Sequence, residues 1–136
     1  MSNVSESTVI PNIKISAKSH FVPQQSDITS SRYVYSYTIN IENNTQTPYQ
    51  LLSRHWVIQD ANMKVEEVYG EGVLGEQPLI EPGASYSYTS GAVLATDMGT
   101  MEGKYYFLAP DNTEENRNQV EVAIPKFLLT IPRTVH

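Results

Sequence analysis

RYVYSYTINIEN, residues 32–43, is the stretch that decides the fold. Tyr33, Tyr35, Tyr37, Ile39 and Ile41 share one parity, while Ser36, Thr38, Asn40 and Glu42 take the other. Successive side chains of an extended chain point to opposite faces, so this alternation predicts a strand with one face turned into a core. Upstream, Ile13, Ile15 and Ala17 alternate with Lys14, Ser16 and Lys18, predicting a first strand that ends near Phe21-Val22-Pro23. The polar run Gln24–Ser31 reads as a loop. Residues 1–11, small and polar and closed by Pro11, read as a flexible tail, and 133–136 as a short C-terminal one. One domain is expected over 12–132.

Downstream, Asn43-Asn44-Thr45 and Pro48 supply turn chemistry. YQLLSRHWVIQ (49–59) then predicts a central strand, with Leu52, Arg54, Trp56 and Ile58 on one side and Leu51, Ser53, His55 and Val57 on the other. Asp60-Ala61-Asn62 reads as a turn and Lys64–Tyr69 as the strand that closes a hairpin. GEGVLGEQPLIEPG (70–83) reads as a Gly-rich connection. Ala84, Tyr86, Tyr88 and Ser90 open another strand, interrupted at Gly91. Asp97-Met98-Gly99 marks a turn, and KYYFL (104–108) a strand after it. DNTEENRN (111–118) is a charged loop, and Gln119–Ile131 an extended pair broken by Pro125, which belongs at an edge or a bulge because it cannot donate to a ladder.

No window carries a 3.6-residue apolar period. Seven or eight short strands separated by turn signals predict an all-β fold, a two-sheet antiparallel β-sandwich of immunoglobulin-like kind. Trp56 falls in the third strand, where such sandwiches keep a core indole. With no cysteine to bridge the sheets, the fibronectin type III-like variant fits better.

The 136 residues match the about 100–200 expected of one domain. Net charge is −6, from 15 acidic and 9 basic residues, which disfavours a nucleic-acid partner because phosphate neutralisation needs a clustered Lys/Arg surface. The absence of cysteine removes disulfides, thiolate metal sites and thiol nucleophiles, and fits a reducing, cytoplasmic setting. No apolar run approaches the roughly 18 residues of a membrane helix, and the start lacks the basic and apolar regions of a secretory signal.

Gly70-Glu71-Gly72-Val73-Leu74-Gly75 matches GxGxxG after a predicted strand. A pyrophosphate cradle also needs a helix N-terminus, and Glu76-Gln77-Pro78 cannot open one. Glu71 and Glu76 would repel a phosphate, so a tight inter-strand loop is expected. Gly99–Lys104 is one residue short of a P-loop and reads as a β-turn leading into a strand. Ser53 and His55 share a strand face, but nothing completes a triad, and His55 is expected to be satisfied by a backbone partner. His20, His55 and His136 stand too far apart for a histidine metal site. Glu66 and Glu67 point to opposite faces, which leaves only a weak carboxylate site from Asp60, Glu81 or the 111–115 loop. Most of the nine tyrosines alternate within strands and read as core rather than as a base-stacking platform.

YSYTINIEN (35–43), QLLSRHWVIQDA (50–61), VYGEGVLGEQPLIEPG (68–83), YTSGAVLAT (88–96), GTMEGKYYF (99–107) and IPKFLLTIP (124–132) together resemble the ApaG family over roughly residues 12–132. The resemblance implies a fibronectin-III-like sandwich and no reaction, and carries over no catalytic residue. It further implies protein–protein contacts, the role ascribed to related domains in F-box and polymerase-δ-interacting proteins. A link of the bacterial members to cobalt tolerance and magnesium efflux goes with it. Asp97, where the family often has Pro, and the long loop DNTEENRNQ depart from the pattern and alter the surface.

The expectation is a non-enzymatic interaction module without cofactor, metal or membrane contact. Its binding-loop candidates are Gly70, Gly72, Val73, Leu74 and Gly75, with Val73 and Leu74 as apolar anchors for a protein partner. A divalent-cation-sensing or ligand-sensing domain is the alternative, and nucleotide binding through Gly70–Gly75 a weaker one. Exposed edge strands allow a homodimer.

Overall fold

The structure is a computed structural model and describes residues 12–109 and 119–132. Eight strands follow in order: β1 (Ile13–Phe21), β2 (Tyr33–Asn43), β3 (Tyr49–Asp60), β4 (Val65–Glu71), β5 (Leu79–Ile80), β6 (Ser85–Leu94), β7 (Met98–Leu108) and β8 (Gln119–Thr130). All pairings are antiparallel, in one sheet ordered β1-β2-β6 and another ordered β4-β3-β7-β8, with β5 added beside β3. In constant immunoglobulin domains the fourth strand joins the sheet of the first two. Here β4 pairs with β3 instead, which is the fibronectin-III-like arrangement. The tails 1–11 and 133–136 and the loop 111–118 lie outside the described residues.

The alternation in β2 does what its parity predicts. Tyr35, Tyr37, Ile39 and Ile41 are buried and meet Leu51, Trp56, Tyr105, Phe107 and Leu129 of the facing sheet. Asn43, at the end of β2, is the single buried polar residue among those described. Its amide donates to Thr47 O and Ile80 O, both at 2.9 Å, and its Oδ1 accepts from the Thr45 N–H and hydroxyl. The turn chemistry read at Asn43 therefore also ties β5 to the core, with every amide hydrogen bond made.

Several expectations are corrected. Strand β3 carries a bulge at Leu52, so its parity switches there and Leu51 and Trp56 both turn inward. Gly91 does not interrupt β6, and the bend before β7 falls at residues 95–97 rather than at Asp97-Met98-Gly99. The Gly99–Lys104 stretch is strand, not turn. Strand β8 runs unbroken through Pro125, which sits both on an edge strand and at a bulge opposite Glu102. The Gly-rich connection contains the short β5.

The two long seams of the sandwich differ. Strand β1 packs on β8, where the Ser19 hydroxyl donates to Leu128 O at 2.7 Å. On the other side, between β4 and β6, the sheets stay apart and leave two adjoining clefts that share Ile58, Glu66 and Val93.

Candidate functional site

The Gly70–Gly75 segment lies beside one of these clefts, but its residues play separate parts. Gly70 is still strand, paired with Arg54. Gly72 has φ +62°, and its N–H donates to Leu52 O at 2.7 Å, pinning the loop to the β3 bulge. Val73 and Glu76 exchange two backbone hydrogen bonds of 2.8 and 2.9 Å around Leu74 and Gly75, which have φ +50° and +78°. Two central residues with positive φ make a type I′ turn. Strand β5 follows, so no helix N-terminus stands behind Gly75. Val73 is corrected as an exposed anchor: it is 1 % exposed and belongs to the core. Leu74 at the tip is 62 % exposed.

The wider cleft holds about 450 Å³ between Arg32, Asp60, Lys64 and Val93. The second holds about 350 Å³ and is lined by Tyr37, Arg54, Trp56, Val68, Leu74 and Tyr88 among others. Arg54 follows Trp56 in parity and turns inward from β3. Its Nη1 donates to Gly72 O at 2.6 Å and to Glu71 O at 3.2 Å, and no carboxylate lies within ion-pair distance of it among the described residues. Burial raises the Tyr37, Tyr88 and Tyr105 hydroxyls above the ordinary 10, and the Arg54 charge opposes the rise at each. These phenols are neutral at any physiological pH. The Tyr88 and Tyr105 hydroxyls bond each other. Trp56 is 2 % exposed, ringed edge-on by Tyr37, Tyr105 and Phe127, and its Nε1–H has no hydrogen-bond partner among the described residues. A buried, unmet donor of this kind costs about 1–3 kcal/mol.

His55 and Ser53 point to the outer face of the same sheet and do not assemble a nucleophile. His55 is half-buried, stacks on Tyr69 at 4.1 Å, and places Nε2 2.8 Å from Glu67 Oε1. Its partner is thus a cross-strand carboxylate rather than the backbone group expected. The Tyr69 hydroxyl donates to the same oxygen at 3.1 Å. Bonds from His55 and then Tyr69 hold the Glu67 carboxyl below its ordinary 4.5. A lowered carboxylate stabilises the fold above the unfolded value, and that contribution fades as pH falls through the folded one. Thermal melts should therefore show Glu67→Gln less stable than wild type at pH 7. The gap should close as the solution is taken below pH 4.5 toward the depressed folded value.

Among the described residues no three His, Asp or Glu side chains gather as metal ligands, and no helix is long and apolar enough to cross a membrane. The charged loop expected to offer carboxylates at 111–115 lies outside the described residues. Sequence parity already placed Arg54 beside Trp56, but not the absence of a carboxylate opposite them.

A cysteine-free sandwich with one seam packed and the other open defines a fibronectin-III-like domain of distinctive shape. A family model described as the ApaG domain matches residues 23–109. Protein ApaG of Dechloromonas aromatica is 47 % identical over 124 residues, covering 91 % of this chain and 94 % of its own length. Its counterpart in Thiobacillus denitrificans is 48 % identical with the same coverage. The crystal structure of a putative ApaA protein from Bordetella pertussis matches with TM-score 0.82 at 44 % identity, over 90 % of this chain and 95 % of that one. The chain belongs to the ApaG family.

Proposed function

We propose that this protein is a non-enzymatic interaction module that presents Leu74 to a protein partner. One observation carries the reading: Leu74 is exposed while held in left-handed backbone. That conformation costs a leucine roughly 1–2 kcal/mol, and Asn or Gly would sit there with less strain. The surrounding loop is firmly fixed, by Gly72 N–H and Gln77 Nε2 to Leu52 O and by Arg54 to Gly72 O. A rigid turn that keeps a strained apolar tip in solvent suits recognition better than stability.

Leu74→Asn tests this by separating the two. The variant should melt a few degrees higher, reflecting about 0.5–1 kcal/mol of relieved strain. In quantitative affinity purification it should nevertheless lose the partners that wild type retains. Leu128→Asn, which alters an exposed leucine on the packed seam, should keep them. A Leu74→Asn protein that holds the same partners, or that melts lower because Leu74 is needed for packing, would sink the proposal.

A further inference from the structure

The cleft beneath that loop, which Leu74 also helps to line, has chemistry of its own. Its donors outnumber its acceptors. Arg54 spends Nη1 on two backbone carbonyls, and no hydrogen bond occupies its Nε or Nη2 among the described residues. Trp56 lines the same space, though its unpartnered Nε1–H is itself buried rather than presented to the cleft. The bond between the Tyr88 and Tyr105 hydroxyls uses one of two phenolic protons, and Tyr88 is the member of the pair that lines the cleft. The one carboxylate in the lining, Glu66, stands where the two clefts meet and makes no ion pair with Arg54. The rest of the wall is apolar: Trp56, Val68, Ala92 and Met101.

We propose that the cleft between β4 and β6 binds a small organic carboxylate, with its oxyanion on Arg54 and its apolar body against Trp56 and Val68. A guanidinium fork matches the planar carboxylate and gains strength where water is scarce. The about 350 Å³ available falls at the small end of ligand pockets, which run from about 300 to 1,000 Å³. Free phosphate shares the anionic chemistry, but it prefers several backbone N–H groups and gains nothing from the apolar wall. Gly70 contributes by omission. A Cβ there would lie 2.6–2.7 Å from the guanidinium atoms, so the glycine leaves Arg54 its berth across the edge of β4.

Trp56 is the sole tryptophan, so its fluorescence reads the cleft directly. The intact protein is titrated with 4-phenylbutyrate, with neutral 4-phenylbutanol, and with inorganic phosphate. Phenylbutyrate should change the emission saturably with a dissociation constant at or below about 1 mM, and the other two should bind at least tenfold more weakly. Arg54→Met should weaken phenylbutyrate binding at least tenfold. Should that variant fail to fold, Ser90→Glu serves instead, because it keeps Arg54 and supplies a tethered carboxylate that ought to exclude the probe. Three results would overturn the proposal: equal binding of the alcohol, phosphate binding as tightly as the carboxylate, or no saturable response by wild type. Undiminished binding by whichever variant folds would do the same.

Discussion

Gly72→Val is expected to destabilise the fold by about 3 kcal/mol or more, read as a drop in the urea midpoint with little change in slope. Gly72 holds φ +62°, where a β-branched side chain is at its worst. Space forbids it as well. A Cβ at this position would lie 2.2 Å from the Glu76 carbonyl oxygen, a backbone atom that is already accepting the Val73 N–H at 2.8 Å. Neither atom can move without opening the Val73–Glu76 turn, and opening it draws Val73 out of the core. Exposing a buried valine costs about 1.5–3 kcal/mol, on top of about 1–2 for the backbone strain. Gly75→Ala supplies the comparison. Gly75 also has positive φ, +78°, but a Cβ there meets nothing within 4 Å, so only the conformational cost of about 1 kcal/mol should appear. If the two variants fall equally, steric closure at Gly72 is not what holds the loop. The glycines that resemble a phosphate cradle are on this account the means of folding a type I′ turn against the β3 bulge.

Strand β2 was legible because its buried face is continuous, so a period of two survives from Tyr35 to Ile41. In β3 the same reasoning misplaces Leu51, because one extra residue at Leu52 reverses the parity and no alternation pattern records a bulge. The misreading of Gly99–Lys104 has a related cause. Glycine there looks like punctuation, yet at Gly103 a Cβ would stand 2.0 Å from the His55 carbonyl oxygen, so the glycine serves a close approach between β3 and β7, beside the bulge in the β7–β8 pairing. Val73 shows how a loop can mislead: lying between glycines, it reads as stranded in solvent, but pairing with Glu76 turns its side chain inward. Of the cleft, the inward parity of Arg54 and Trp56 could be read from the sequence. What could not be read is that β1 packs on β8 while β4 and β6 stay apart, because that depends on how far two sheets from distant parts of the chain slide over each other.

Trp56 tests how the core tolerates that open seam. Trp56→Ala should cost about 3–5 kcal/mol, as expected when a large buried aromatic is truncated among neighbours that cannot collapse into the gap. Tyr37, Tyr105 and Phe127 all meet the indole edge-on, at centroid distances of 5.5, 6.3 and 5.9 Å, and they come from strands of both sheets. The variant therefore loses an inter-sheet contact as well as volume. Trp56→Phe divides the effect. It retains an aromatic ring in the same ring of neighbours and removes the Nε1–H that has no partner among the described residues. The loss of packing volume and the relief of an unmet donor act in opposite directions, each worth about 1–3 kcal/mol. The net cost should then be less than half that of the alanine variant. Denaturant unfolding followed by circular dichroism measures both, since neither variant keeps the tryptophan signal. A phenylalanine variant that falls as far as the alanine one would mean that the indole's packing, not its unmet N–H, decides the cost.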